Sequence, residues 1–176
     1  MRTAKRYRIF SLVLILCLTG IRCGYRLRGT GSSLPSTIKK VYIPVFKNQT
    51  TRFELDRKLT EGVIDEFIGR GKVEIVSEQE GADAVLLGEI IEFRVTPLAY
   101  SGGQAVADRY SITVSAKIIL RDLTNRKIIF SNPYFSFKDD YEVPEGSDFE
   151  SVETEALVEI AEKFARSLIT SLLEGF

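Results

Sequence analysis

The 176-residue chain contains no histidine and no tryptophan, and it has two cysteines, Cys17 and Cys23. The lack of histidine excludes histidine-dependent acid–base catalysis, and with two cysteines it also excludes a zinc site of histidine and cysteine ligands. Because no cysteine follows Cys23, the rest of the chain cannot form an internal disulfide. The chemistry left to this sequence is that of carboxylates, hydroxyls, amides and cations.

Those groups form no catalytic motif in the sequence. No serine lies in a Gly-x-Ser-x-Gly motif, and Gly102-Gly103 lacks the Gly-Lys-Ser/Thr context of a phosphate-binding loop. The carboxylate pairs Asp139/Asp140 and Glu78/Glu80 fall in polar segments, where solvated charge is the ordinary interpretation. The sequence therefore predicts a protein that is not an enzyme and that binds no metal and no cofactor.

Charge is balanced overall but unevenly distributed. The first 22 residues hold five of the 24 basic residues and none of the 24 acidic ones, which leaves 19 basic against 24 acidic residues in the remainder. Nucleic-acid binding needs a basic face that displaces counterions. We therefore expect no nucleic-acid partner.

The basic N-terminus precedes a short apolar run, Ile9–Leu18. About ten apolar residues are too few to span a bilayer, which takes roughly 20, and the pattern is typical of a secretory signal. We predict a signal peptide over residues 1–22, with an uncleaved inner-membrane anchor as the alternative. Cys23 would then be lipidated as in bacterial lipoproteins, although Arg22 stands where those signals have a small residue. Gly24, rather than aspartate, favours the periplasmic side of the outer membrane.

After a tether over residues 23–36, the pattern predicts a single domain over residues 37–176. Val41, Ile43 and Val45 alternate with polar residues, as in a half-buried strand, and Pro44 suggests an edge or a bulge. Thr51-Arg52-Phe53-Glu54 has the spacing of a capping box before a helix. The apolar stripe of this helix comprises Leu55, Leu59, Val63 and Phe67, with Ile64 and Ile68 beside it, and Gly69 and Gly71 end the helix.

Four further strands and a closing helix follow. A short strand lies at 72–76, and long strands are predicted from Ala84 to Thr96, from Arg109 to Asp122 and from Lys127 to about Phe137, with a hairpin loop over 97–108 and an acidic loop after the last strand. Inward positions are Val85, Leu87, Ile91, Phe93 and Val95 on the first long strand and Tyr110, Ile112, Val114, Ala116, Ile118 and Leu120 on the second. The last helix has its stripe at Phe149, Val152, Ala156, Ile160, Phe164, Leu168 and Leu172.

This order of elements, β-α-β-β-β-β-α, favours an α+β fold. We expect a two-layer sandwich in which two helices pack on one face of a four- to five-stranded, mostly antiparallel sheet. The other face should be largely polar, with Ser, Thr, Lys and Arg side chains. Such a face, together with exposed sheet edges, indicates a surface that meets a partner.

Three segments resemble the LptE family of lipopolysaccharide-assembly lipoproteins. They are Cys23-Gly24-Tyr25-Arg26-Leu27-Arg28-Gly29 with the Leu34-Pro35 spacer, Gly103-Gln104-Ala105 before the strand Arg109–Ala116, and the turn Asp122–Lys127. The resemblance implies a lipid-anchored protein that plugs the lumen of the large outer-membrane β-barrel LptD. The pair would deliver lipopolysaccharide to the outer leaflet, and the plug would help the barrel to assemble and would contact the glycolipid.

Within that resemblance, residues around the 97–108 loop are the candidates for contact. Lipopolysaccharide phosphates prefer Arg or Lys donors, so Arg94 and Arg109, which flank the loop, are the candidate lipopolysaccharide contacts. Tyr100, Gly102, Gly103 and Gln104 are the candidate partner-facing residues of the loop. The competing hypothesis is a periplasmic lipoprotein similar to the CsgG/LpoB type, which would form a secretion pore or activate a peptidoglycan synthase.

Overall fold

The computed structural model describes residues 34–99, 107, 109–144, 147 and 149–174. Within these residues the chain forms six strands and two helices. Their bounds are β1 (Lys40–Tyr42), β2 (Lys47–Asn48), α1 (Leu55–Arg70), β3 (Glu74–Val76), β4 (Ala84–Ala99), β5 (Arg109–Asp122), β6 (Ile128–Glu142) and α2 (Phe149–Glu174). Cys23 and the loop residues Tyr100, Gly102, Gly103 and Gln104 lie outside the described residues.

The strands form one mixed sheet in the order β3-β1-β4-β5-β6, with β2 also paired to β4. The long strands β4, β5 and β6 form an antiparallel meander, whereas β1, β2 and β3 make only parallel pairs. The α+β sandwich is therefore confirmed. The sheet is mostly antiparallel by paired residues but mixed rather than purely antiparallel, because α1 connects β1 and β2 to β3 as a crossover that returns the chain in the same direction.

The first predicted strand is interrupted at Pro44. β1 and β2 both pair with the same edge of β4, Tyr42 opposite Val85 and Lys47 opposite Glu89. Four residues separate Tyr42 from Lys47, but only three separate their partners on β4, so the first chain has one extra residue in this interval. Within the gap, Ile43 is buried but Val45 is 62% exposed, so the expectation that Val45 continues the buried alternation is wrong. A proline cannot donate to the ladder, and the chain bulges there.

Phe46 takes the buried place instead. Its side chain is 2% exposed and its ring lies over Gly88 of β4, where an added Cβ would come within 2.5 Å of the ring carbons. Its backbone N–H donates to Thr60 Oγ1 at 3.0 Å, and that hydroxyl donates to the Asp56 carbonyl at 2.6 Å. The missing side chain of Gly88 thus makes room for the aromatic ring that fixes α1 against the sheet.

The start of α1 differs from the predicted capping box. Asn48 organises the preceding turn: its Oδ1 accepts from Thr50 N and Thr50 Oγ1, and its Nδ2 donates to the Arg52 carbonyl at 2.7 Å. The helix cap is Glu54, in the left-handed region at φ 58°, with no side-chain hydrogen bond to the helix. Because Asn48 already holds the Thr50–Arg52 turn, the helix begins only at Leu55 and Thr51 is not its cap.

The predicted apolar stripe of α1 is confirmed, since Leu55, Leu59, Val63 and Phe67 are all fully buried. Ile68 is an exception at 58% exposure. The helix ends at Gly71, which has φ 60° and donates its N–H to the Ile68 carbonyl. Only glycine adopts this backbone conformation without strain, so the predicted stop is confirmed at Gly71, whereas Gly69 lies within the helix.

The stripe of α2 is broader than predicted. Alongside Ala156, Ile160, Phe164, Leu168 and Leu172, the structure buries a second row: Leu157, Ala161, Ala165, Ile169 and Leu173. This second row contains the small residues that face α1. An added Cβ at Gly62 would lie 3.0 Å from the Ala161 carbonyl oxygen and 3.6 Å from the Ala165 Cβ. One row therefore covers the sheet and the other includes the close approach to α1.

The predicted inward residues are correct for β5 but only partly correct for β4. On β5 the predicted inward set is correct: Ile112 to Leu120 on alternate positions are fully buried and Tyr110 packs against the core. On β4 the prediction is wrong for Leu87 and Ile91, because Ala84, Leu86 and Ile90 belong to the core cluster and these two residues do not. Val85 is buried at 4% exposure but lies outside that cluster. A register shift between Ile90 and Glu92 then reverses the alternation, which places Phe93 and Val95 against the core as predicted.

Strands β4 and β6 both extend further than expected. β4 continues through Pro97, which pairs with Tyr110, to Ala99. On its other side, β4 pairs with the parallel strands β1 and β2 only as far as Ile90. Pro97 lies beyond that point, so its lack of an N–H breaks no hydrogen bond with those strands. β6 runs to Glu142, so Asp139 and Asp140 lie in a strand and not in an acidic loop.

Candidate partner-binding face

The face of the sheet opposite the core, here called the outer sheet face, carries most of the polar side chains of the meander. It comprises Glu89, Glu92 and Arg94 of β4, Ser111, Thr113, Ser115 and Lys117 of β5, and Ser131, Tyr134, Ser136, Lys138 and Asp140 of β6. Both helices contribute instead to the core cluster on the other side. The predicted polar face is present, although Val85, Leu87 and Ile119 form an apolar margin near one end.

A hydrogen-bond network centred on Glu92 connects the three long strands on this face. Tyr134 Oη donates to Glu92 Oε2 at 2.8 Å and Ser115 Oγ donates to the same oxygen at 3.1 Å, while Arg94 forms an ion pair with Glu92 Oε1. Ser136 Oγ lies within hydrogen-bond distance of Ser115 Oγ, at 3.2 Å. The hydrogen bond from Tyr134, followed by those from Ser115 and the charge of Arg94, lowers the pKa of Glu92. The carboxylate is therefore held charged on the outer sheet face.

The sequence identified only Arg94 from this network. The other four members, Glu92, Ser115, Tyr134 and Ser136, were missed because their proximity depends on strand register. A register shift lies in each strand pair, between Ile90 and Glu92 on β4 and between Ala116 and Ile118 on β5. The sequence offers one local signal for this network, a carboxylate followed two residues later by an arginine within a strand. It places Glu92 and Arg94 on one face but says nothing about the opposing strands.

Arg94 and Arg109 do lie on the same face, but not in one compact site. Arg94 is opposite Thr113, four residues along β5 from Arg109, which corresponds to about 13 Å at the usual strand rise. The Arg94 side chain is 68% exposed and paired with Glu92, and the Arg109 side chain is 49% exposed and paired with Glu142. Each guanidinium is accessible, and each already has a carboxylate beside it.

Two further carboxylates fasten the end of the sheet away from the 97–108 loop. Asp83 accepts the backbone N–H groups of Lys39 and Lys40, both at 2.8 Å, and thereby connects the start of β4 to β1. Asp122 is 6% exposed and accepts from the Thr124 and Asn125 backbones and the Asn125 side chain, which closes the β5–β6 turn. Backbone hydrogen bonds lower the pKa of both groups. These residues are structural.

We expect acid to destabilise the protein through these carboxylates. Because their pKa values are lowered in the folded state, their stabilisation is complete above the ordinary values of 3.8 for Asp and 4.5 for Glu, and it is lost as the pH falls below them. Urea unfolding should show a free energy of unfolding that declines from pH 5 to pH 3. Asp122→Asn should be less stable at pH 7 and show a shallower decline; an equally steep decline in the variant would remove Asp122 from this account.

The residues that the structure describes contain no group of three or more potential metal-ligating side chains. Neither α1 nor α2 combines the length and apolar character that a bilayer crossing requires.

Comparison with known proteins identifies the family. The family model described as LptE, lipopolysaccharide-assembly, matches residues 38–172. No curated protein sequence matches the chain. Among solved structures, CT253 of Chlamydia trachomatis has a TM-score of 0.54 at 12% identity, over 79% of this chain and 97% of that one. Lipoprotein GNA1162 of Neisseria meningitidis has a TM-score of 0.43 at 14% identity, over 69% of this chain and 96% of that one.

Rare lipoprotein B of Shewanella oneidensis has a TM-score of 0.40 at 15% identity, over 76% of this chain and 96% of that one. At 12% identity, the likeness to CT253 concerns the fold alone. The family match covers most of the described body, from just before β1 to near the end of α2, and it decides between the two families that the sequence left open. The chain belongs to the LptE family of lipopolysaccharide-assembly proteins.

Proposed function

We propose that this protein is an outer-membrane lipoprotein, anchored through Cys23 on the periplasmic side, that plugs the lumen of an LptD-type β-barrel through its outer sheet face and assists delivery of lipopolysaccharide. The observation that carries the proposal is the outer sheet face itself, three antiparallel strands wide and lined by charged and hydroxyl side chains. The lumen of an outer-membrane barrel is polar, so it offers hydrogen-bond partners to such a face.

The packing of the domain fits this role. The apolar stripes of α1 and α2 are buried in the protein's own core, so the domain does not need a partner to cover them. The network around Glu92 keeps the outer sheet face charged and ordered before any partner binds. A preorganised polar surface loses less entropy on binding than a mobile one.

Affinity purification of the chain from the outer membranes of its own host tests the proposal. We expect recovery of a single barrel protein of much larger mass. Lys117 and Lys138 are exposed on the outer sheet face, and their double reversal to Glu should reduce that recovery. The matched double reversal of Lys58 and Lys72, which lie outside this face, should leave it unchanged. A homo-oligomeric ring or a peptidoglycan synthase in place of the barrel would contradict the proposal.

Arg94 and Arg109 remain the proposed lipopolysaccharide contacts. Since each pairs with a carboxylate, a phosphate would have to compete with Glu92 or Glu142 for the guanidinium. Arg94→Glu with Arg109→Glu should reduce the lipopolysaccharide retained by the purified complex, while the Lys/Lys variant, which keeps the charges, should retain most of it. Equal retention in both variants would remove these residues from the contact. Barrel recovery is measured in parallel, so that loss of the barrel is distinguished from loss of the glycolipid.

A further inference from the structure

One end of the outer sheet face carries apolar side chains that the core does not use. Val85 and Ile128 both pair with Arg121, and Leu87 pairs with Ile119 in the next row of the sheet. Ile128 is 57% exposed, Leu87 and Ile119 are half-buried, and none of these apolar residues belongs to the core cluster. Apolar side chains that are grouped at one place on a surface mark an interaction site more often than single ones do.

Two arginines lie at the same end. Arg121 lies between Val85 and Ile128 in the sheet, Arg126 follows the β5–β6 turn, and both arginines border one groove of about 560 Å³ together with Ile128. Both side chains are exposed, and neither guanidinium has an ion pair or hydrogen bond within the described part of the chain. The carboxylate in this groove, Asp122, is 6% exposed and accepts hydrogen bonds from its own turn. We call the following residues the basal patch: Leu87, Ile119, Arg121, Arg126 and Ile128.

The backbone that presents Arg126 is fixed before any partner binds. Arg126 has φ 56°, a left-handed conformation that residues other than glycine rarely adopt. The preceding turn is held by Asp122, whose Oδ1 accepts from the backbone N–H groups of Thr124 at 2.8 Å and Asn125 at 2.9 Å. The Asp122 N–H also donates to the Lys127 carbonyl at 2.8 Å. A surface ordered in this way loses less entropy when it binds.

The basal patch is at the end of the domain nearest the proposed lipid anchor. Lys39, just before β1, donates its backbone N–H to the Asp83 carboxylate, and Leu123 of the β5–β6 turn donates to the Asp83 carbonyl. The eleven residues from Cys23 to Leu34 span at most about 40 Å, whereas β4 extends about 50 Å away from this end. An anchor at Cys23 would therefore hold this end, and not the opposite one, close to the bilayer.

We propose that the basal patch docks on the surface of an anionic phospholipid bilayer, with Ile128 against the acyl chains and Arg121 and Arg126 paired with headgroup phosphates. Guanidinium groups donate two N–H groups to one phosphate. Their aliphatic stems cover neighbouring apolar residues while the charged ends stay in the polar layer. The inference rests on the proposed anchor at Cys23, but the basal patch contains none of the polar residues assigned to the barrel lumen.

The pairing of cations with apolar residues is what favours a lipid surface. A free phosphate would use the guanidinium groups but leave Ile128 in water, whereas a bilayer surface receives both. Glu78 and Glu80 are exposed in the segment between β3 and β4, and neither forms an ion pair with the two arginines. The attraction therefore depends on the arginines of the basal patch and not on the net charge of the whole end.

A single introduced tryptophan tests the proposal, because the chain has none of its own. Ile128→Trp places the reporter in the basal patch, and Leu98→Trp, at a position that is 47% exposed near the other end of β4, is the matched control. The full-length variants are reconstituted in vesicles of acyl-brominated phosphatidylcholine, with or without phosphatidylglycerol. We expect blue-shifted emission, quenched by the bromine atoms, at position 128 with phosphatidylglycerol only, and neither effect at position 98.

Charge variants in the Ile128→Trp background supply the second readout. Arg121→Gln with Arg126→Asn removes both cations, and asparagine tolerates the left-handed backbone at position 126. This variant should lower the ratio of docked to undocked domains about tenfold or more, whereas Arg121→Lys with Arg126→Lys should keep most of the quenching. Added salt should weaken the quenching of the parent because it screens the headgroup charge.

Flotation of the chain with the vesicles is measured in parallel. A chain that floats without quenching at position 128 would overturn the docking and leave the anchor and the barrel proposal standing, whereas a chain that does not float would overturn the anchor and the docking together. Equal quenching in the two lipid mixtures, or in the parent and the variant without the two arginines, would also contradict the proposal. A blue shift without bromine quenching would assign the patch to a second copy of the chain and overturn it as well.

Discussion

Phe164→Ala should lower the free energy of unfolding by about 3–5 kcal/mol, the usual cost of removing a fully buried phenylalanine side chain. Phe164 is fully buried at the centre of α2 and contacts Phe135 and Phe137 of β6 edge to face. The substitution leaves a cavity between the helix and the sheet and removes both ring contacts. Chemical denaturation monitored by circular dichroism measures the change.

Two variants of the same helix serve as controls. Phe164→Leu keeps most of the volume, so it should cost less than Phe164→Ala, and the remaining loss reports the ring contacts. Val158→Ala, at a position that is 44% exposed, should change the free energy of unfolding by less than about 0.5 kcal/mol. Equal losses in Phe164→Ala and Val158→Ala would show that α2 does not pack on β6 through Phe164.

Gly88→Ala should destabilise the protein by about 1–3 kcal/mol because the new methyl group overlaps a packed aromatic ring. The Cβ would lie 2.5 Å from the Phe46 ring carbons, and Phe46 is itself 2% exposed with its backbone fastened to Thr60. The ring cannot move without disturbing the junction between β2, β4 and α1. Urea unfolding measures the loss.

The same substitution at Gly69 is the matched control. Gly69 lies within α1 and an added Cβ there meets nothing within 4 Å, so Gly69→Ala should stabilise the helix by up to about 1 kcal/mol. Combining Gly88→Ala with Phe46→Ala should cost less than the sum of the two single changes, because the overlap disappears with the ring. Additive losses would contradict the proposed contact between Gly88 and Phe46.

The parts of the fold that the sequence predicted are those with one apolar face. In α1 the residues at four-residue steps from Leu55 to Phe67 are apolar, and in β5 every second residue from Ile112 to Leu120 is apolar. In both elements the neighbouring positions are mainly polar, so only one orientation buries the apolar set. Gly71 marked the end of α1 because glycine adopts the left-handed conformation there without strain.

The parts that could not be predicted depend on tertiary context. In β4, Val85 and Leu86 are both apolar, so the pattern does not say which one faces the core, and the shift after Ile90 has no local signal. The parallel pairing of β1 depends on where the crossover through α1 returns the chain. For the same reason, the Glu92 network was not predictable: Ser115 and Tyr134 reach Glu92 only through the final register of three strands.

The central claim is that the outer sheet face meets the barrel, and cross-linking from opposite sides of the domain tests it most directly. Lys117 is exposed on the outer sheet face and Asp65 is exposed on α1. A photo-reactive residue at each position, in the full-length chain within its own host, samples the two sides under identical conditions. We predict that position 117 cross-links to an outer-membrane barrel protein and position 65 does not. A barrel adduct at position 65 alone, or at neither position, would contradict the account.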